Sequence, residues 1–196
     1  MTSARGKETH VAEMDTIGLL EVTSIGVGYK AQDAMLKAAS VELLLARTIC
    51  SGKYLVAVSG DVASVESSVE AGATAAEGAL IERRVISRLH PSVFPAISMA
   101  VELPPEHFEA LGIIETFSAS TIVEVADAAA KAANIKLFRI HLAMAIGGKG
   151  FVLLTGDISS VEAAVAAAAP VAGAEGMLVS SVVVPAPRRE LFREYI

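Results

Sequence analysis

The chain has 196 residues, 53% hydrophobic but only 5% aromatic, with no Trp and 35 Ala. That apolar mass excludes a disordered protein, and the scarcity of large rings argues against an aromatic-lined ligand pocket. A net charge of −6 without a basic stripe argues against nucleic-acid binding, and one Cys excludes an intrachain disulfide framework.

Residues 1–15 (MTSARGKETHVAEMD) lack the apolar centre of a secretion signal and are expected to form a flexible tail. A strand is expected over 17–24, then a helix over 29–39 with Ala31, Ala34, Met35, Ala38 and Ala39 on one face. Two strands, 41–49 and 53–59, flank Cys50-Ser51-Gly52 and read as a hairpin. Asp61 is placed to cap a second helix whose inner side carries Val62, Val65, Val69, Gly72, Ala73 and Ala76. A last strand, 80–89, runs up to His90-Pro91. The order β-α-β-β-α-β is the split βαβ of a ferredoxin-like α+β sandwich, with both helices on one sheet face and the other face open for more elements or a partner.

After a linker over 96–109, marked by Pro104-Pro105, the same order starts again. Residues 17–46 align with 111–140 at an offset of 94, with nine of thirty positions identical, including Gly18/Gly112, Glu21/Glu115, Asp33/Asp127 and Lys37/Lys131. Residues 52–69 align with 148–165 at an offset of 96, because the second hairpin carries two extra residues. Two tandem domains follow, over 16–95 and 110–196. No run of about 18 apolar residues offers a membrane span, since the longest, 163–174, is broken by Pro170 and Gly173. A single Cys fits a reducing cytosol.

The search for chemistry yields little. His10, His90, His107 and His141 show no metal-ligand spacing, and there is no nucleophile elbow, phosphate loop or His-Glu-x-x-His. No enzyme is expected. Glu21 and Glu115 have the form of an acid/base pair, but a repeated structural carboxylate at a domain interface is the stronger reading. Lys37 and Lys131 lie on an exposed helix face or make a repeated edge contact. Cys50 at a hairpin tip is a small hydrophobe or a ligand, with Lys53 near enough in sequence to favour its thiolate. One thiolate cannot hold an iron–sulfur cluster, but a symmetric trimer brings three to one axis. The second tip, Ile146-Gly147-Gly148-Lys149, has no Cys.

The paired motifs GLLEVTS/DAMLKAA and GIIETFS/DAAAKAA, each followed by a GK-strand-GD hairpin, resemble bacterial microcompartment (BMC) shell domains over about residues 16–195. Two copies, each starting at the Gly-Leu/Ile strand, resemble the non-permuted tandem proteins that form pseudohexameric trimers, and the strings TIC-GK, HPS and H-(x)5-GGK resemble their propanediol-utilisation T subtype. The resemblance implies a homotrimeric tile beside other shell hexamers and trimers, in a polyhedral shell within the bacterial cytoplasm. It implies a central pore lined by Cys50, Ser51, Gly52, Lys53, Ile146, Gly147 and Gly148, with Lys37 and Lys131 at inter-tile edges. It also implies a [4Fe-4S] cluster on the three-fold axis, with Cys50 as each chain's metal ligand, passing electrons across the shell or serving an enclosed redox enzyme. Where that subtype commonly carries Pro after the cysteine, this chain has Ser51. Competing readings are a tile with an empty pore for small metabolites, and a ferredoxin-like ligand-binding regulatory protein.

Overall fold

The computed structural model describes residues 15–101, 109–144 and 146–192; most of the expected tail, the Pro104-Pro105 linker centre, His10, His107 and residues 193–196 lie outside the described residues. The first unit runs β1 (Thr16–Val22), α1 (Ile25–Ala38), β2 (Glu42–Ile49), β3 (Lys53–Gly60), α2 (Val62–Ala75) and β4 (Leu80–Ile86). A short helix, α3 (Val93–Ile97), follows. The second unit repeats the order as β5 (Ala110–Thr116), α4 (Thr121–Ala132), β6 (Lys136–Leu142), β7 (Gly150–Gly156), α5 (Ile158–Ala174) and β8 (Leu178–Pro185), and ends in a 3-10 turn, Arg189–Phe192. The sheets are ordered β2-β3-β1-β4 and β6-β7-β5-β8, antiparallel throughout. This is the ferredoxin-like arrangement expected from the element order.

Local chemistry sets the helix ends. Asp61 and Asp157 accept the Ser64 and Ser160 N–H groups at 2.9 and 2.8 Å, so both are N-caps. α1 starts four residues before the expected position, at Ile25, where the Ser24 hydroxyl accepts from Val27 N–H. Gly26 and Gly28 hide this start from periodicity because glycine is a poor helix former. Gly28 is there for packing: a Cβ on it would lie 2.5 Å from Tyr54 Cβ. In the second unit the sizes are exchanged. Ile122 stands at the Gly28 position and Gly150 at the Tyr54 position, and a Cβ on Gly150 would lie 2.5 Å from Ile122 Cγ2.

The two units bury different faces. In the first, Leu20, Val22, Met35, Tyr54, Val56 and Val65 form the core between sheet and helices. Its opposite face, bearing Ile17, Leu19, Leu55 and Ala57, which the element order leaves for further elements or a partner, is taken up within the chain: these residues join one buried cluster with α3 and the core of the second unit. The N-terminal turn of α4 seats on it, with Glu82 on β4 accepting from the Ser118 and Ser120 hydroxyls at 3.3 and 2.5 Å. Arg84 on β4 donates to Glu175 at 2.7 Å and to Glu124 at 3.3 Å. The corresponding face of the second unit keeps only a small buried group, Leu111, Phe138 and Leu153, while Val182 and Phe117 are exposed.

Candidate functional site

The two hairpin tips come together. β2 and β3 pair up to Ile49 and Lys53, leaving Cys50–Gly52 as a 3-10 turn; β6 and β7 pair up to Leu142 and Gly150, leaving the longer loop 143–149, of which Ala145 lies outside the described residues. The Gly147 N–H donates to Cys50 Sγ at 3.4 Å, which joins the tips of the two units. Cys50 forms no disulfide and is half-buried.

The tips use the same backbone with different residues. Ser51 and Gly52 have φ of +64° and +75°, and the aligned Gly147 and Gly148 have +70° and +88°. Gly adopts this region without penalty, whereas Ser51 holds it at a cost of about 1 kcal/mol. Proline, fixed near −65°, cannot occupy it. A proline in place of Ser51 would not fit the turn this chain makes here.

The flanking lysines are anchored. Lys53 Nζ lies 2.9 Å from a Glu21 carboxylate oxygen and Lys149 Nζ 2.9 Å from Glu115. The repeated carboxylates thus have a structural role, each holding the root of its hairpin through a lysine. Lys53 spends its charge on Glu21, so the expectation that it favours a Cys50 thiolate is not supported by the geometry. The Gly147 amide is a donor to that sulfur.

Sequence reading passed over Arg47 and Arg139 behind the tips and took His141 only as a histidine without metal-ligand spacing and as part of the H-(x)5-GGK string. Arg47 on β2 donates to the Leu142 carbonyl at 2.8 Å, crossing from one unit to the other. Burial, with Arg139 adding to it, lowers its pKa from the usual arginine value. His141 stacks on Phe151 at 4.8 Å and its Nε2 lies 2.7 Å from the Met144 carbonyl. Burial lowers its pKa against that hydrogen bond, and Arg47 and Arg139 act in the same direction as burial. The alignment offers one signal: Arg47 falls on His141 at the offset of 94, two basic residues at one repeat position near the tip end of each strand.

The remaining candidates lie away from the tips. Lys37 pairs with Asp33, and Lys131 with Asp127, each at 2.6 Å along its helix. Lys131 also donates to the Arg88 carbonyl at 2.7 Å and Asp127 accepts the His90 N–H at 2.7 Å, tying α4 to the segment after β4. Among the described residues no three His, Cys, Asp or Glu side chains converge as one chain's metal site, and no helix is long and apolar enough to cross a membrane.

Two tandem split-βαβ units joined tip to tip have a counterpart among known proteins: residues 16–89 and 110–187 each match the BMC domain. The chain belongs to the BMC-domain family. It is 42% identical to the bacterial microcompartment shell protein PduT of Citrobacter freundii, over 92% of this chain and 97% of that one. It is 39% identical to the shell protein EutM of Escherichia coli K12, over 42% of this chain and 90% of EutM, about one domain's worth. A crystal structure of a microcompartments protein from Desulfitobacterium hafniense DCB superposes with a TM-score of 0.88 at 50% identity, covering 92% of this chain and 99% of that one. The BMC chain is accordingly a structural component of a bacterial microcompartment shell, where it assembles with other shell proteins.

Proposed function

We propose that the chain is a non-enzymatic, homotrimeric, pseudohexagonal shell tile whose central pore is lined by Cys50–Lys53 and Ile146–Gly148 of three chains. The complementarity left on the single chain carries this reading. The face of the first unit is covered by α4 of the second. On the second unit the matching face, with Ile113, Phe151 and Val182, has no α4 to cover it. The helix equivalent to α4 is α1, whose Ile25 and Tyr29 are exposed where the aligned Ala119 and Val123 are buried. Seating α1 of one chain on the open face of the next repeats the intrachain junction, a head-to-tail contact that closes as a ring of three chains.

The Cys50 environment fits a [4Fe-4S] cluster on the trimer axis. Each chain supplies one sulfur at a tip, three chains supply three, and an N–H donor on the sulfur favours the thiolate. Cys50 would be the protein ligand, with the fourth position outside the cysteine set. When bound, the cluster supplies one-electron chemistry, suited to electron transfer across the shell and to enclosed redox enzymes as partners. Lys37 and Lys131 supply cationic contacts at edges to neighbouring hexamers and trimers.

Mass measurement in solution with iron and acid-labile sulfide analysis on anaerobically prepared protein tests both parts. The expected result is a brown trimer, with Cys50→Ala abolishing colour and iron but not the trimer. An iron-free trimer under reconstituting conditions removes the cluster and leaves an empty pore for small metabolites. A monomer removes the tile.

A further inference from the structure

The segment after β4 grips the second unit, and the chain contains that segment twice. Within one chain, Arg88 turns the backbone at a φ of +58°, its carbonyl accepts from Lys131, and the His90 N–H donates to Asp127. α3 then buries Val93, Ala96 and Ile97 against β6 and α4, where Leu137 is 1% exposed. The strands β4 and β8 align at an offset of 98, since Glu82 and Ser180 face the aligned Glu21 and Glu115. Continued past the strands, that offset lays PAPRRELF (185–192) on SRLHPSVF (87–94), placing Leu191 on Val93 and Phe192 on Phe94. The backbone agrees: Ala186 repeats the positive φ, at +45°, and residues 189–192 repeat the helical turn.

The second strap meets its own chain where the Ala186 N–H donates to the Glu109 carbonyl at 2.8 Å, but among the described residues its apolar end is left uncovered. Leu191 is 52% exposed, whereas Val93 is fully buried. The first unit, in turn, presents an uncovered receptor. Asp33 and Lys37 copy the Asp127–Lys131 bridge but stand 62% and 74% exposed. Leu43, aligned with Leu137, is 43% exposed, and Leu36 on α1, aligned with Ala130 that packs against the buried cluster, is exposed as well.

We propose that residues 186–192 are a strap that reaches across to a second copy of this chain and docks on its first unit. Leu191 packs against Leu43 and Leu36 of that copy, the Ala186 carbonyl accepts from its Lys37, and the Arg188 N–H donates to its Asp33. This rests on the trimeric tile and says what fastens one chain to the next. Lys131 remains 48% exposed while making the equivalent contact, so Lys37 can hold the strap and still face a tile edge.

The test uses the full chain with Cys50→Ala, so that introduced thiols are the only ones. With Leu43→Cys and Leu191→Cys together, a short bismaleimide is expected to give covalent dimers and trimers on a denaturing gel, and neither single variant should. In parallel, Leu191→Asp is expected to shift trimer dissociation on dilution by about tenfold or more, with Leu43→Asp giving a similar shift and the pair together little more than either alone. Trimers that give no crosslinked ladder and whose dilution curve Leu191→Asp leaves unmoved overturn the strap while the tile stands. An unsubstituted chain that is monomeric at every concentration overturns both.

Discussion

The two BMC domains share a backbone plan and differ in what lies on the sheet face away from the helices. In the first, that face is buried under the second domain and edged by charge, with Glu82 and Arg84 meeting Ser118, Ser120, Glu124 and Glu175. In the second, the aligned positions are Ser180 and Val182, and the face is largely apolar. Duplication kept the scaffold and left each copy free to match a different neighbour. The cores diverged as well, by exchanging sizes: Gly28 against Tyr54 in one, Ile122 against Gly150 in the other.

The largest effect is expected at the size exchange. Gly28→Ile gives the first domain the large residue of the second without its glycine, and overpacking against Tyr54 is expected to cost about 3 kcal/mol in denaturant unfolding. Adding Tyr54→Gly should recover about half of that, although the Tyr54–Gln32 hydrogen bond at 2.9 Å is lost. If the double variant is no better than the single, the two pairs are not equivalent solutions.

A smaller effect is expected where the domains meet. Arg84→Met strands Glu124 and Glu175 at a half-buried junction, and a loss of about 1–2 kcal/mol is expected by the same measurement. The junction is also pH-sensitive in two opposed ways. Burial raises the pKa of Glu124 above the usual carboxylate value, so its ionisation costs stability as the pH rises. The hydrogen bond from Arg84 lowers that of Glu175, so its contribution is present above the usual carboxylate pKa and lost as the pH falls below it. Val182→Met, at the position aligned with Arg84, should leave the isolated chain's stability near its starting value.

The smallest effect sharpens the comparison at the helix caps. Hydrogen bonds from Ser159 and Ser160 lower the pKa of Asp157 to about 2, while Asp61, with Ala63 at the Ser159 position, is lowered by Ser64. Both caps act above the ordinary carboxylate pKa and fail as the pH falls, Asp157 at the lower pH. In an NMR titration, Ala63→Ser should bring Asp61 down toward Asp157; an unchanged Asp61 would show that the second serine is not the cause.

How much of this was readable before the fold was known depends on whether a signal is local. Asp61 and Asp157 as caps, the Gly-Lys hairpins and the repeat itself are set by neighbouring residues, and all appear in the sequence. The start of α1 did not, because the reason for Gly28 is Tyr54, 26 positions away. Cys50 was legible as a tip residue, but its Gly147 partner is 97 residues distant, and Lys53 looked like its partner only because it is close in sequence. Which sheet face is covered was not read from the sequence, although Glu82 and Arg84 against the aligned Ser180 and Val182 mark the difference between the copies, because their partners Ser120, Glu124 and Glu175 are 38 to 91 residues away.

The exchanged pair also constrains how this gene can change. Two internal copies ordinarily invite gene conversion, in which a stretch of one overwrites the other. Overwriting α1 with α4 would set Ile against Tyr54, and overwriting β3 with β7 would leave Gly against Gly28, so a short tract in either place leaves a clash or a hole. Only a tract long enough to carry both members of the pair is tolerated by the core. Such a tract also carries the hairpin tip, and with it the single Cys50.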